Sequence, residues 1–419
     1  MKITLSQLKI RKITPEQFFM LSAMAVNGGN YLYNLLLGRI LGPQQFANAA
    51  ILITFLLVLS FVAMTFQLSV AKFTAGYETH KQLHFLNYVK KASLLIGIVA
   101  SLAVVIFAGQ LQQVFHTDSK WMFIIFGLGI PVYFLMSVNR GFYQGNKSFY
   151  KLSVTYQAEM FSRLFITILL VVLLTTNNSS NLVALGILIS FIFGLMPFKN
   201  SGKLFSNKIE LEASEVKNLV HFIAITAFYE FTQIIINNSD ILLVKHYFPS
   251  YEAGLYASLA LIGRLVYFVA WMFVMILLPT VVQRKKRGED TLPVLFRYIG
   301  FVCILAATII GLTYFFPEFI INIMFGEAYV SMASLLWKYA LATSLFAISN
   351  VFVYYFLSLD KYWPVALSGV FGIAQVVSIL LFHESLAQVV NVQISIMLGL
   401  LGVQLVYFFY QHKSKTRLK

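Results

Sequence analysis

Residues 237 to 264 read Asn237-Asn-Ser-Asp-Ile-Leu-Leu-Val-Lys-His-Tyr-Phe-Pro-Ser-Tyr-Glu-Ala-Gly-Leu-Tyr-Ala-Ser-Leu-Ala-Leu-Ile-Gly-Arg264, which sets amide, carboxylate and basic side chains into an otherwise strongly apolar chain. In a segment of bilayer length such groups are costly, so they are expected to face a protein interior or a water-filled path. An earlier stretch has the same layout. A displacement of 206 positions lays Asn34 on Asp240, Arg39 on Lys245 and Pro43 on Pro249, with three apolar residues after the first position in both copies. The chain therefore reads as an internal repeat.

With 59% hydrophobic and 11% charged residues over 419 positions and a mean hydropathy of +0.79, the composition exceeds the roughly 45–50% apolar share of soluble domains. It describes an all-α, polytopic membrane protein. A net charge of +15 would suggest nucleic acid in a soluble protein, but here it is explained by the basic loops that face the cytoplasm, and no nucleic-acid partner is expected. The single cysteine, Cys303, excludes a disulfide framework and a cysteine metal site, and is expected to pack in the core.

The first apolar run, Phe18 to Leu41, lacks a small-residue cleavage site and reads as a retained span. Eleven more runs of about bilayer length lie near 50–71, 92–115, 121–139, 152–175, 181–198, 219–243, 255–282, 295–316, 331–357, 363–382 and 392–411. Twelve helices are expected, since unpaired backbone cannot face lipid. With the N-terminus in the cytoplasm, 25 of the 31 basic residues fall on that side, Arg140 among them, and Arg39, Lys120 and Lys245 on the other. Both termini are then cytoplasmic, in the manner of the positive-inside rule. The long polar connection after span six, with four lysines between 199 and 218, divides the chain into an N-terminal six-helix lobe (1–200), a cytoplasmic linker (201–218) and a C-terminal six-helix lobe (219–419). Six spans is an even displacement, so the lobes are parallel repeats.

Polar groups mark the interior. Thr226, Glu230, Gln233, Asn237 and Asp240 are spaced 4, 3, 4 and 3, which puts them on one helix face. Asn27, Asn30 and Asn34 form a matching stripe on span one, with Asn27 lying on Gln233 under the displacement. These stripes either line a shared cavity or hydrogen-bond between helices as glue. Glu159 and Arg163, one turn apart and roughly 12 to 18 Å into span five, form either a self-contained ion pair or a phosphate site tuned by its acid. Arg264 and Lys338 have no acid one turn away, so they must find partners across the bundle or face water. The charges Arg39, Arg163, Arg264 and Lys338 outnumber Glu159, Glu230 and Asp240 by one, and such a cavity suits a diphosphate better than a cationic drug. Gly28-Gly29 and Pro131 are candidate hinges.

Nothing reads Gly-x-x-x-x-Gly-Lys-Ser/Thr, so ATP is not expected to drive this chain, and no cofactor is expected. Coupling to H+ or Na+ is the alternative, with Glu230, Asp240 and Glu159 as candidate carboxylates and Gln375 as a further cation ligand.

The run from Asn34 through Gly38-Arg39-Ile-Leu-Gly-Pro43 to Phe46, together with Asn237-x-x-Asp240, Ala253-Gly-Leu-Tyr256 and Gly263-Arg264, resembles the polysaccharide-export flippases of the multidrug/oligosaccharidyl-lipid/polysaccharide (MOP) superfamily. The resemblance runs from about Gln17 to the C-terminus and implies the two-lobed architecture of the multidrug and toxic compound extrusion (MATE) transporters. It implies a multi-pass protein of the bacterial cytoplasmic membrane that moves an undecaprenyl-diphosphate-linked glycan between leaflets. Membrane lipids, a polysaccharide polymerase and chain-length machinery are then the expected partners. Arg39, Arg163, Arg264 and Lys338 would meet the diphosphate, and Asn27, Asn34, Gln233 and Asn237 would line the cavity. Three other readings stand: a multidrug antiporter, a lipid II flippase and a membrane-embedded polymerase or ligase. The lipid II carriers have a second arginine six residues after the first, where this chain has Gln45, and the outer connections are short for a polymerase.

Overall fold

The computed structural model describes residues 14–76, 79–174, 179–197, 213–359 and 361–416. Long apolar runs leave the backbone no partner but itself, and almost every described residue is helical. The helices are α1 (Pro15–Gly76), α2 (Thr79–Ile106), α3 (Ala108–Val114), α4 (Trp121–Gly145), α5 (Phe149–Leu173), α6 (Ser179–Phe193), α7 (Ala213–Tyr247), α8 (Ser250–Gly263), α9 (Leu265–Lys286), α10 (Leu292–Phe315), α11 (Pro317–Met324), α12 (Leu336–Ser358), α13 (Trp363–Leu381) and α14 (Leu386–Thr416), with a 3-10 helix over Glu327–Leu335.

Among the described residues, eight helical stretches are long and apolar enough to cross a membrane. The sequence leads one to expect twelve spans, and the difference has local causes. The first two expected spans are one 62-residue helix, α1, broken at Gly42, whose φ of 71° and ψ of 169° interrupt the helical path. That left-handed φ favours glycine, and Pro43, which has no N–H, begins the returning segment. At 15 residues α6 is short, the eighth expected span is cut into α8 and α9 at Arg264, and α7, with polar residues from Gln233 to Asp240, is not among the eight.

Helices α1 to α6 pack on one another, as do α7 to α14, and the two groups meet where α1 lies along α7 and α8. Chain alternation gathers the α1 break, α3, the α7–α8 turn, α11 and the 3-10 helix at one end, here called the break end. One apolar core runs through both groups there and includes Leu37, Phe46, Ala253, Phe325 and Tyr329. A second core, from Val266 through Val302 and Phe352 to Phe408, is built from the second group. Large apolar side chains such as Ile304, Val370 and Ile373 stay exposed, as expected of surfaces that meet lipid.

Helix α1 is continuous through Gly28-Gly29 and α4 through Pro131, and the expected spans are interrupted at Phe107 and Arg264, with the turn between the first two at Gly42. Two expectations need correction. Cys303 is exposed on α10, where it faces away from the core. Arg140 is not a loop residue, because α4 continues to Gly145 and buries it. The expected linker falls mostly outside the described residues.

Candidate ligand-binding site

Two buried ionic clusters each meet one of the two helices, α1 and α7, that the sequence repeat relates. In the second group, Arg264 interrupts the helix between α8 and α9 and turns its guanidinium to α7. There Nη2 meets Asp240 Oδ1 at 3.1 Å and Nη1 donates to Asn238 Oδ1 at 3.2 Å, while Nη2 also donates to the Asn237 carbonyl. Asp240 Oδ2 accepts from Tyr339 at 2.7 Å and from Tyr256 at 3.1 Å, and Gln393 Nε2 donates to the Tyr256 hydroxyl at 2.6 Å. A carboxylate as deeply buried as Asp240, 1% exposed, is held by a cation and two hydroxyls at once, which is what such a charge needs to remain in a dry site.

In the first group, Glu159 is shared by two arginines. Arg140 Nη2 reaches Oε2 at 2.7 Å and Arg163 Nη1 reaches Oε1 at 3.0 Å. Arg140 also donates to Thr155 Oγ1 at 3.0 Å and lies 3.8 Å from the centre of the Tyr156 ring. Arg163 Nη2 bonds Asn30 Oδ1 at 2.5 Å on α1. Two arginines against one acid leave this buried cluster one positive charge in excess, whereas the Asp240–Arg264 pair is balanced.

The clusters share a layout. Asn30, displaced by 206, falls next to Asn237, so each cluster presents one arginine to an amide-bearing position on α1 or α7. A small cleft opens beside the second cluster, and its lining includes Asn237, Arg264, Tyr339, Thr343, Gln375 and Gln393. Gln375 donates from Nε2 to the Ile236 carbonyl at 3.0 Å and to Ser239 Oγ at 3.2 Å. Among the described residues, Gln233 Nε2 and Asn34 Oδ1 are buried and have no hydrogen-bond partner.

The expected site residues thus separate into two sets. Arg163, Arg264, Asp240, Glu159, Asn237 and Gln375 are gathered into the clusters or the cleft. Arg39 is exposed and donates from Nη1 to the Ile323 carbonyl at 2.9 Å, away from both clusters. Lys338 sits in the first turn of α12, half-buried, with its ammonium 5.9 Å from the Trp337 ring; the expected span had begun at 331, which placed it deeper. Asn27 is exposed on α1. The side chains of Thr226 and Glu230 lie outside the described residues. Arg140, Tyr256, Tyr339 and Gln393 complete the clusters without having been singled out. Their one sequence signal is the presence of polar groups in or beside apolar runs.

The family model described as polysaccharide biosynthesis protein matches residues 36–334. No curated protein matches the sequence. Among solved structures, an inward-facing multidrug resistance MATE transporter of the MOP superfamily matches with a TM-score of 0.77 at 10% identity, covering 93% of this chain and 94% of that one. A lipid II flippase, MurJ, in an inward closed conformation matches at 0.74 with 14% identity, covering 94% and 87%. An outward-facing MATE transporter matches at 0.56 with 12% identity, covering 97% of each chain. The chain belongs to the polysaccharide biosynthesis protein family and has the fold of the MOP transporters, a multi-pass membrane architecture.

Proposed function

We propose that this protein carries undecaprenyl-diphosphate-linked oligosaccharide repeat units from the inner to the outer leaflet of the bacterial cytoplasmic membrane, for surface polysaccharide synthesis. In this reading twelve spans form two six-helix lobes, 1–200 and 219–419, with 201–218 between them and both termini in the cytoplasm. The lobes rock to give alternating access, driven by an H+ or Na+ gradient. The break end faces outward and is shut. The fall in TM-score from 0.77 for the inward-facing to 0.56 for the outward-facing MATE transporter supports that state.

One observation carries the reading: two buried arginines, Arg163 and Arg264, are each shared with an amide-bearing position on repeat-related helices, and the clusters together hold one excess positive charge. A diphosphate offers two anionic groups to such a pair, and a guanidinium in a poorly solvated site binds phosphate oxygens through parallel hydrogen bonds. Family membership supplies the polysaccharide context. Downstream, a polymerase and chain-length machinery would consume the translocated unit.

The test is the leaflet position of the lipid-linked unit in a deletion strain, probed on spheroplasts with an impermeant lectin. Loss of lectin binding with normal synthesis on the cytoplasmic side is expected. Binding at the parental level, in a strain shown to lack a second flippase for that unit, refutes the reading. A lipid II carrier would instead leave this glycan on the surface and arrest the cell wall.

A further inference from the structure

Arg39 and Lys245, the two repeat-related cations outside the buried clusters, make the same bond in reciprocal directions. Arg39 on α1 donates to the carbonyl of Ile323, in the last turn of α11 in the second group, at 2.9 Å. Lys245 on α7 donates to the carbonyl of His116, two residues past α3 in the first group, at 3.2 Å, and to Ser250 Oγ at 2.6 Å. The displacement of 206 that lays Arg39 on Lys245 also brings His116 to within one residue of Ile323. Each cation therefore leaves its own group, Arg39 to cap the last turn of α11 and Lys245 to hold the carbonyl just past the end of α3. Exposed carbonyls at a helix C-terminus carry partial negative charge, so a cation is favoured there.

The surroundings fit a closed seam. His246 Nδ1 lies 2.5 Å from the Val114 carbonyl, and the Tyr329 hydroxyl donates to the Gly38 carbonyl at 2.6 Å; both bonds join the two groups. The backbone of Gly254 on α8 rests against Pro43 just past the α1 break, so closely that an added Cβ would fall 1.7 Å from the Pro43 carbonyl oxygen. The shared apolar core lies at this same end.

We propose that Arg39 and Lys245 are paired latches that hold the break end shut, each by bonding a carbonyl at or just past the end of a short helix of the opposite lobe, and that the transport cycle must release both. The proposal rests on the transporter reading above. Its two halves are unequal. Lys245 is 1% exposed, so its bonds are made away from water, whereas Arg39 is exposed and its bond competes with solvent.

The test is a pair of spin labels at Lys120→Cys and Glu252→Cys in a Cys303→Ser chain in lipid nanodiscs, read by pulsed electron resonance. The parent should give one dominant short distance. Arg39→Gln should move a minor fraction to longer distance, Lys245→Met a larger one, and the double variant the majority, while Arg39→Lys keeps the parental distribution. A folded double variant with the parental distribution overturns the proposal. Should that variant fail to fold, Arg39→Gln alone decides, since its site is exposed: no lengthening overturns the latch. Gly254→Ala, which wedges the seam without touching either cation, is the positive control for lengthening. These distances need no substrate. Loss of the glycan reading in the lectin assay would leave the latch standing, and unchanged distances beside normal lectin results would remove the latch alone.

Discussion

Arg264 and Asp240 lie 24 positions apart in sequence and form one ion pair across the junction of α7, α8 and α9, Nη2 to Oδ1 at 3.1 Å. From sequence the first is a ligand for substrate and the second a carboxylate for a coupling ion, but in the fold neither has an environment without the other. Any ligand that draws on Arg264 must also disturb Asp240.

Asp240→Asn should therefore be more damaging than a neutral substitution suggests. It leaves Arg264 buried without its counter-charge, a loss on the order of 3–5 kcal/mol for a broken buried pair. Adding Arg264→Gln should recover most of it. A thermal-unfolding cycle over the two single variants and the double checks this; strictly additive losses would mean that the pair is uncoupled.

In the first group Glu159 is the keystone. Glu159→Gln strips two buried guanidinium groups of their acid at once, so it should destabilise more than Arg140→Gln or Arg163→Gln, each of which leaves one salt bridge intact. The yield and melting temperature of detergent-purified protein should rank the three in that order. Arg140→Gln behaving like a surface change would contradict its burial.

Lys338→Ala should retain transport, in contrast to the balanced double variant Asp240→Asn/Arg264→Gln, which should abolish it while leaving folded protein in the membrane. The reason is position: Lys338 lies in the first turn of α12 beside Trp337 and does not line the cleft, whereas Arg264 does. Surface polysaccharide restored by each variant in a deletion strain is the readout.

Orientation is testable with thiols. In a Cys303→Ser chain, Lys120→Cys, exposed at the break end, should react with an impermeant maleimide on intact cells and Lys285→Cys only after permeabilisation. Cys303 itself, exposed on α10, should react with a lipid-soluble maleimide and resist the impermeant one. Labelling of Lys285→Cys on intact cells would invert the topology.

The parts of this site that sequence reveals are those with a period. The 4, 3, 4, 3 spacing places Asp240, Asn237 and Gln233 on one face, and the displacement of 206 pairs Arg39 with Lys245. The parts it hides are those made by tertiary approach. Tyr339 and Tyr256 reach Asp240 from 99 and 16 residues away; Tyr256 stands in the Ala253-Gly-Leu-Tyr256 motif, but nothing local marks Tyr339 or shows that either meets Asp240. Arg140 ends an apolar run, which is how a cytoplasmic flank looks until α4 is seen to continue to Gly145. The partners of Arg39 and Lys245 are backbone carbonyls, which every residue has, so the bonds leave no signature in side chains. The break at Gly42-Pro43 has a composition cue, whereas at the break by Arg264 the Gly263 carbonyl takes a bond from Thr343 Oγ1 at 2.7 Å, a partner 80 residues away.

The excess positive charge of the Arg140–Glu159–Arg163 cluster has an electrical consequence. A diphosphate diester carries about two negative charges, so on the proposed function the two clusters together are net negative when loaded and net positive when empty. With the cell interior negative, the field drives the loaded site's charge outward and the empty site's charge inward. Each elementary charge moved through the whole potential is worth about 2.3 kcal/mol per 100 mV. A rocking motion traverses only part of that drop, yet both strokes of the cycle run downhill in voltage. Transport should then slow when the membrane is depolarised at constant ion gradients.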